Sequence, residues 1–70
     1  MLTDLKKLTP RQVEIVRLLS LGLTNREIAD RCGIVEQSVK NQLVTIYLKL
    51  GVRNRTEALL KAKKILHERS

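Results

Sequence analysis

One start signal occurs three times in this 70-residue chain, and it leaves little room for anything but helices. Thr9-Pro10-Arg11-Gln12, Thr24-Asn25-Arg26-Glu27 and Asn54-Arg55-Thr56-Glu57 each set a short polar residue three positions before Gln or Glu. At that spacing the first side chain accepts from an otherwise orphaned backbone N–H, and the second reaches back to the N–H of the cap. Pro10 suits a first helical position, where no N–H is needed. Leu8 with Val13, and Leu23 with Ile28, stand where a hydrophobic staple braces the first two starts.

Apolar residues follow each start at helical spacing. The first run holds Val13, Val16 and Leu19, with Ile15 and Leu18 widening the stripe, and the second holds Ile28, Ala29 and Cys32. The third holds Val39, Leu43, Ile46, Tyr47 and Leu50, and the last holds Ala58, Ala62, Ile65 and Leu66. Gly22, Gly33 and Gly51 stand at the expected stops. Helices are therefore predicted over about residues 10–20, 25–32, 36–50 and 55–67. The third alone lacks a start signal, because Val35 occupies its cap position, where Ser, Thr, Asp or Asn would be worth about 1 kcal/mol more. No segment alternates with period 2 over a strand's length, so the fold class is all-α. Residues 1–7 are read as a flexible leading segment and residues 8–70 as one domain.

Size and composition exclude several functions. A body this small cannot enclose a cleft between two lobes. Tyr47 is the only aromatic residue, so the stacking platforms of single-strand binders are missing. His67 is a lone histidine near the C-terminus, no Gly-rich phosphate loop follows a strand, and no carboxylate pair is enclosed by a core, so the chain does not read as an enzyme. Cys32 is the only cysteine; an internal disulfide is impossible, no Cys/His metal spacing exists, and no cofactor is expected. Cys32 reads as a small buried hydrophobe rather than a redox sensor. No apolar run reaches signal-peptide or membrane-span length, which points to a cytoplasmic protein with no membrane partner.

Charge points toward a polyanion. The net charge is +7, and residues 36–70 hold eight basic and three acidic side chains. The second and third predicted helices, joined by a short turn at Gly33, form a helix-turn-helix arrangement. With the Val39–Leu50 stripe facing the core, Gln37, Asn41, Val44, Thr45 and Leu48 must point outward, with Lys40 on the flank. Asn and Gln can pair with adenine, Lys with guanine, and a Val or Thr methyl with the thymine methyl. At this stage a solvated helix face competes with the DNA-reading one.

The order of the motifs favours the second. Leu8-Thr9-Pro10-Arg11, Gly22-Leu23-Thr24-Asn25-Arg26-Glu27-Ile28-Ala29, Ser38-Val39-Lys40-Asn41 and Leu50-Gly51-Val52-Arg53-Asn54-Arg55-Thr56-Glu57-Ala58 resemble the successive signatures of the LuxR-type family of bacterial transcription regulators. The likeness runs through nearly all of residues 8–66 without gaps. It implies a four-helix domain that binds double-stranded promoter DNA, usually as a homodimer, with the third helix in the major groove. Carried over by position, Lys40 and Asn41 come first as base contacts, then Gln37 and Val44. Ser38, Thr24, Asn25, Arg53 and Asn54 are the implied phosphate contacts, although Thr24 reads equally well as a plain cap. For Lys49 and Arg55 a phosphate contact and a solvated position stand level. The fourth helix is implied as the dimer contact, through Ala58, Lys61, Ala62 and Ile65. Such relatives also join this domain to an N-terminal receiver or ligand-binding domain.

The chain departs from the family at Val35, where a small polar cap is common, and at Gln42, where His is frequent. Cys32 replaces a frequent Leu, and Leu48 replaces a residue that is often basic. Two other readings stand beside this one. A sigma factor's promoter-reading domain has a similar run from Thr24 to Lys40 but lacks the Gly51–Ala58 segment and the fourth helix. A helical protein-interaction module would instead use a groove beside the fourth helix.

Overall fold

Among residues 2–69, which the computed structural model describes (side chains for 4–67), the chain forms five helices and no strand. They are α1 (Leu2–Lys6), α2 (Pro10–Ser20), α3 (Asn25–Cys32), α4 (Glu36–Leu50) and α5 (Arg55–Arg69). The last four follow the predicted bounds, with α5 running slightly longer.

The start signals act as their chemistry requires. Thr9 Oγ1 accepts from the Gln12 N–H at 3.2 Å, and Gln12 Oε1 accepts from the Thr9 N–H at 3.0 Å. Thr24 and Glu27 make the same reciprocal pair at 3.2 and 2.8 Å. At α5 the box is displaced by one residue. Asn54 Oδ1 accepts from the Glu57 N–H at 2.9 Å, but the Glu57 carboxylate takes the N–H of Arg53 instead, at 2.8 Å. Val35 has cap geometry (φ −77°, ψ 154°) and no side-chain hydrogen bond, as its sequence position predicted. Gly33 and Gly51 end α3 and α4 at φ 69° and 70°, a conformation that a Cβ would strain. Arg11 of α2 donates to the Cys32 carbonyl at 2.7 Å, satisfying one of the orphaned acceptors at the end of α3.

Residues 2–6, read from the sequence as a flexible leading segment, form a fifth helix beyond the four predicted. α1 has no capping signal and is too short to hold itself together in water. It forms because Leu5 is buried in the common core and Asp4 lies 3.6 Å from Lys61 of α5.

The core is aliphatic and draws on every helix. Ile15, Val16 and Leu19 of α2 meet Ile28 and Ala29 of α3, Val39, Leu43, Ile46 and Leu50 of α4, and Ala58, Ala62 and Ile65 of α5. Burying one such Leu or Ile contributes about 1.5–3 kcal/mol. Val13, placed on the first stripe by its spacing, is only half-buried at the edge of the core. The dimer contact expected on α5 also needs correction. Ala58 and Ala62 are 0% exposed and Ile65 is 1% exposed within a single copy, so none can touch a second one. Lys61 is half-buried and paired with Asp4. The reason is plain: the apolar stripe of α5 is taken up by packing against α1 and α2 in the common core.

One polar side chain joins this core. Gln12 is 5% exposed, and its oxygen, besides closing the α2 cap, accepts from Lys49 Nζ at 2.9 Å. Its amide nitrogen donates to Gln42 Oε1 at 3.0 Å. This junction pins the start of α2 to α4 with its buried polar atoms satisfied, as burial demands.

Candidate nucleic-acid interface

α4 packs against α3 across the short Gly33–Val35 turn, and its core stripe decides which residues face outward. With Val39, Leu43, Ile46 and Leu50 buried, Gln37, Lys40, Asn41, Val44, Thr45 and Leu48 are all exposed. The four expected base contacts, Gln37, Lys40, Asn41 and Val44, therefore share one open face. Ser38 sits on the half-buried flank of the same helix.

Three polar members of this face, Gln37, Lys40 and Asn41, already have partners, and these are weak. Gln37 Nε2 donates to Asn41 Oδ1 at 3.1 Å, and Lys40 Nζ lies 4.0 Å from Glu36 Oε2. An exposed pair at this helical spacing is worth about 0.2–0.5 kcal/mol. A bidentate contact to a base is worth about 1–3 kcal/mol, so a base edge would outcompete both.

The expected phosphate contacts form a second group. Thr24 and Asn25 open α3; Arg53 and Asn54 precede α5. Arg55 draws these two helix starts together. Its guanidinium donates to Asn25 Oδ1 at 2.6 Å and to the Leu23 carbonyl at 2.7 Å. Each helix start adds backbone N–H groups and a partial positive charge, which favour an anion. Thr24 and Asn54 act as caps, as described, and Arg53 is 87% exposed at the side chain, 3.2 Å from Glu57. Among the described residues no hydrogen bond joins this group to the outer face of α4.

Both capping carboxyls are held below their ordinary range. For Glu27 the cause is first the Thr24 N–H and then the Thr24 hydroxyl. For Glu57 it is first the Arg53 N–H and then the Arg53 guanidinium. Both stay ionised, which suits carboxylates in the first turn of a helix.

Sequence reasoning missed two links. Arg55 is exposed, yet two of its five N–H donors are engaged inside the molecule, a link that neither reading given to it included. Lys49 likewise points back at Gln12. Neither has a local signal, because the partners lie 30 and 37 residues away.

Residues 6–62 match the family of bacterial regulatory proteins described as the luxR family. The chain belongs to that family. A transcriptional regulatory protein of Bacillus subtilis, LnrK, is 44% identical over 57 residues, covering 81% of this chain and 26% of that protein. The DNA-binding transcriptional activator DevR/DosR of Mycobacterium tuberculosis is 40% identical over 65 residues, 93% of this chain and 30% of its own length. A probable HTH-type transcriptional regulator of Streptomyces halstedii, GfsR, is 48% identical over 54 residues, 77% and 22% of the two chains. The luxR-family chain described here thus spans about a quarter of the length of these relatives.

Proposed function

We propose that this luxR-family chain is the sequence-specific DNA-binding module of a transcription regulator, with α4 lying in the major groove. The open face carrying Gln37, Lys40, Asn41 and Val44 is the observation that supports it most, because among the described residues no other helix packs on that face and its polar groups pair only within α4. Lys40 and Asn41 read bases, with Gln37 and Val44 beside them. Ser38, Thr24, Asn25, Arg53 and Asn54 hold the sugar-phosphate backbone and fix the register. In this reading two copies bind adjacent half-sites in the cytoplasm. Since the alanines of α5 are buried, the contact between copies falls to its outer side, where Leu60 is exposed. An attached receiver or ligand-sensing domain would govern that pairing.

The test is selection of bound duplexes from a random pool, followed by titration of Lys40→Ala and Asn41→Ala. Each should cost about 5- to 100-fold on the selected duplex, the span of about 1–3 kcal/mol, and far less on random DNA. Equal losses on both would demote these residues to backbone contacts. Absence of any enriched duplex at low salt would overturn the DNA reading and favour a protein-interaction module.

A further inference from the structure

The outer face of α4 changes character along its axis rather than around it. Gln37, Asn41, Val44 and Leu48 fall within an arc of about 60° at 100° per residue. The first two are polar and the last two apolar. Val44 is 62% exposed and Leu48 79%, the most open of the large apolar side chains described.

Neither exposure helps the fold. The core contacts of α4 run through Val39, Leu43, Ile46 and Leu50 on the other side. A β-branched valine on a solvated helix is a poorer helix former than Lys, Glu or Gln. Single exposed apolar residues are ordinary. Two of them one turn apart, continuous with a line of base-reading groups, call for a partner that is apolar at that point.

The major groove offers one such group. Among its donors and acceptors, the thymine 5-methyl is the apolar feature that distinguishes a base. At 1.5 Å per residue, Val44 lies about 4.5 Å and Leu48 about 10.5 Å along the helix from Asn41. Those offsets correspond to about one and three base steps at 3.4 Å each. Lys40 flanks the line with a positive charge, so its surroundings suit DNA better than an apolar peptide.

We infer that Val44 and Leu48 form an apolar reader of thymine methyl groups beside the bases read by Gln37, Lys40 and Asn41. The inference rests on the DNA-binding reading above. It adds that the preferred site carries thymines on the side served by the later turns of α4, and that Leu48 is a specificity-determining residue.

Deoxyuridine tests it, because it pairs as thymidine does and lacks only the methyl. The duplex selected from the random pool is titrated by fluorescence anisotropy, with each thymine replaced in turn. At least two replacements should weaken binding about 3- to 4-fold each, equivalent to about 0.8 kcal/mol for one buried carbon at 1.4 kcal/mol per factor of ten. Val44→Ala should abolish sensitivity at one of these positions and Leu48→Ala at the other. Both side chains are exposed, so the variants should keep wild-type helicity and thermal stability. Equal binding of thymine and uracil duplexes would overturn the methyl reader while leaving specific DNA binding intact. So would uracil sensitivity that persists unchanged in both variants. Failure to select any duplex would instead bring down the DNA-binding reading on which the inference rests.

Discussion

Arg55 and Asn25 stand 30 residues apart in sequence, and a 2.6 Å hydrogen bond joins their side chains. With its oxygen facing the guanidinium, Asn25 turns its NH2 group the other way, where it can donate to a phosphate. Arg55 also holds the Leu23 carbonyl, so one planar fork fixes the spacing between the starts of α3 and α5. Arg55→Ala should lower stability by about 1 kcal/mol, because these are exposed hydrogen bonds. It should weaken binding to selected and random duplexes by a similar factor, as expected of a group that positions backbone contacts. Arg55→Lys should recover little, since one ammonium cannot match two acceptors set for a fork. Thermal unfolding and anisotropy on both duplexes separate the effects. Lost stability with unchanged affinity would confine Arg55 to the fold.

Val35 has the backbone of an N-cap without a cap's chemistry, and it is 69% exposed, so little packing is lost by replacing it. Val35→Ser should stabilise the domain by about 1 kcal/mol. For a domain of this size that raises Tm by about 4–8 °C. DNA affinity should stay within two-fold of wild type, a direct check that the gain is confined to the first turn of α4.

Ala62 is fully buried within one copy, whereas Leu60 is 63% exposed. Ala62→Leu should therefore cost about 1–3 kcal/mol through overpacking, visible in urea unfolding of the monomer. Leu60→Ala should change stability by no more than about 0.5 kcal/mol and act instead on the pairing of copies on DNA. If Ala62→Leu unfolded like wild type and altered only association, the alanine side of α5 would be the contact after all.

Acid should loosen the starts of α3 and α5 together. Glu27 and Glu57 both have folded-state pKa values below the ordinary 4.5, because N–H groups donate to the charged form. Their contribution is complete above that value and is lost as pH falls through the lowered folded-state values. Between about pH 5 and 3, Tm should thus fall less steeply in the double variant Glu27→Gln, Glu57→Gln than in wild type. A glutamine at either place still accepts the backbone N–H, so the variant keeps its caps. Equal slopes would assign the acid sensitivity to other carboxylates.

The helices from α2 onward were legible in the chain because their signals are local. A capping box spans three residues, and a stripe repeats every three or four. The outward face of α4 was legible by elimination: once Val39, Leu43, Ile46 and Leu50 are assigned to the core, the groove-facing candidates are those left over. α1 was not legible. Its five residues have no capping signal, and they become helical only where Leu5 finds a core built largely from later residues. The Gln12–Lys49 and Asn25–Arg55 bonds were hidden for the same reason, since no short-range pattern encodes a partner 37 or 30 residues away. The stripe Ala58, Ala62, Ile65 shows the boundary most sharply. Periodicity identified it as a face that must leave water, but hydrophobic burial has no direction and does not name its partner. Packing against α1 and α2 turned that face inward, and so left the outer side of α5 to meet any second copy.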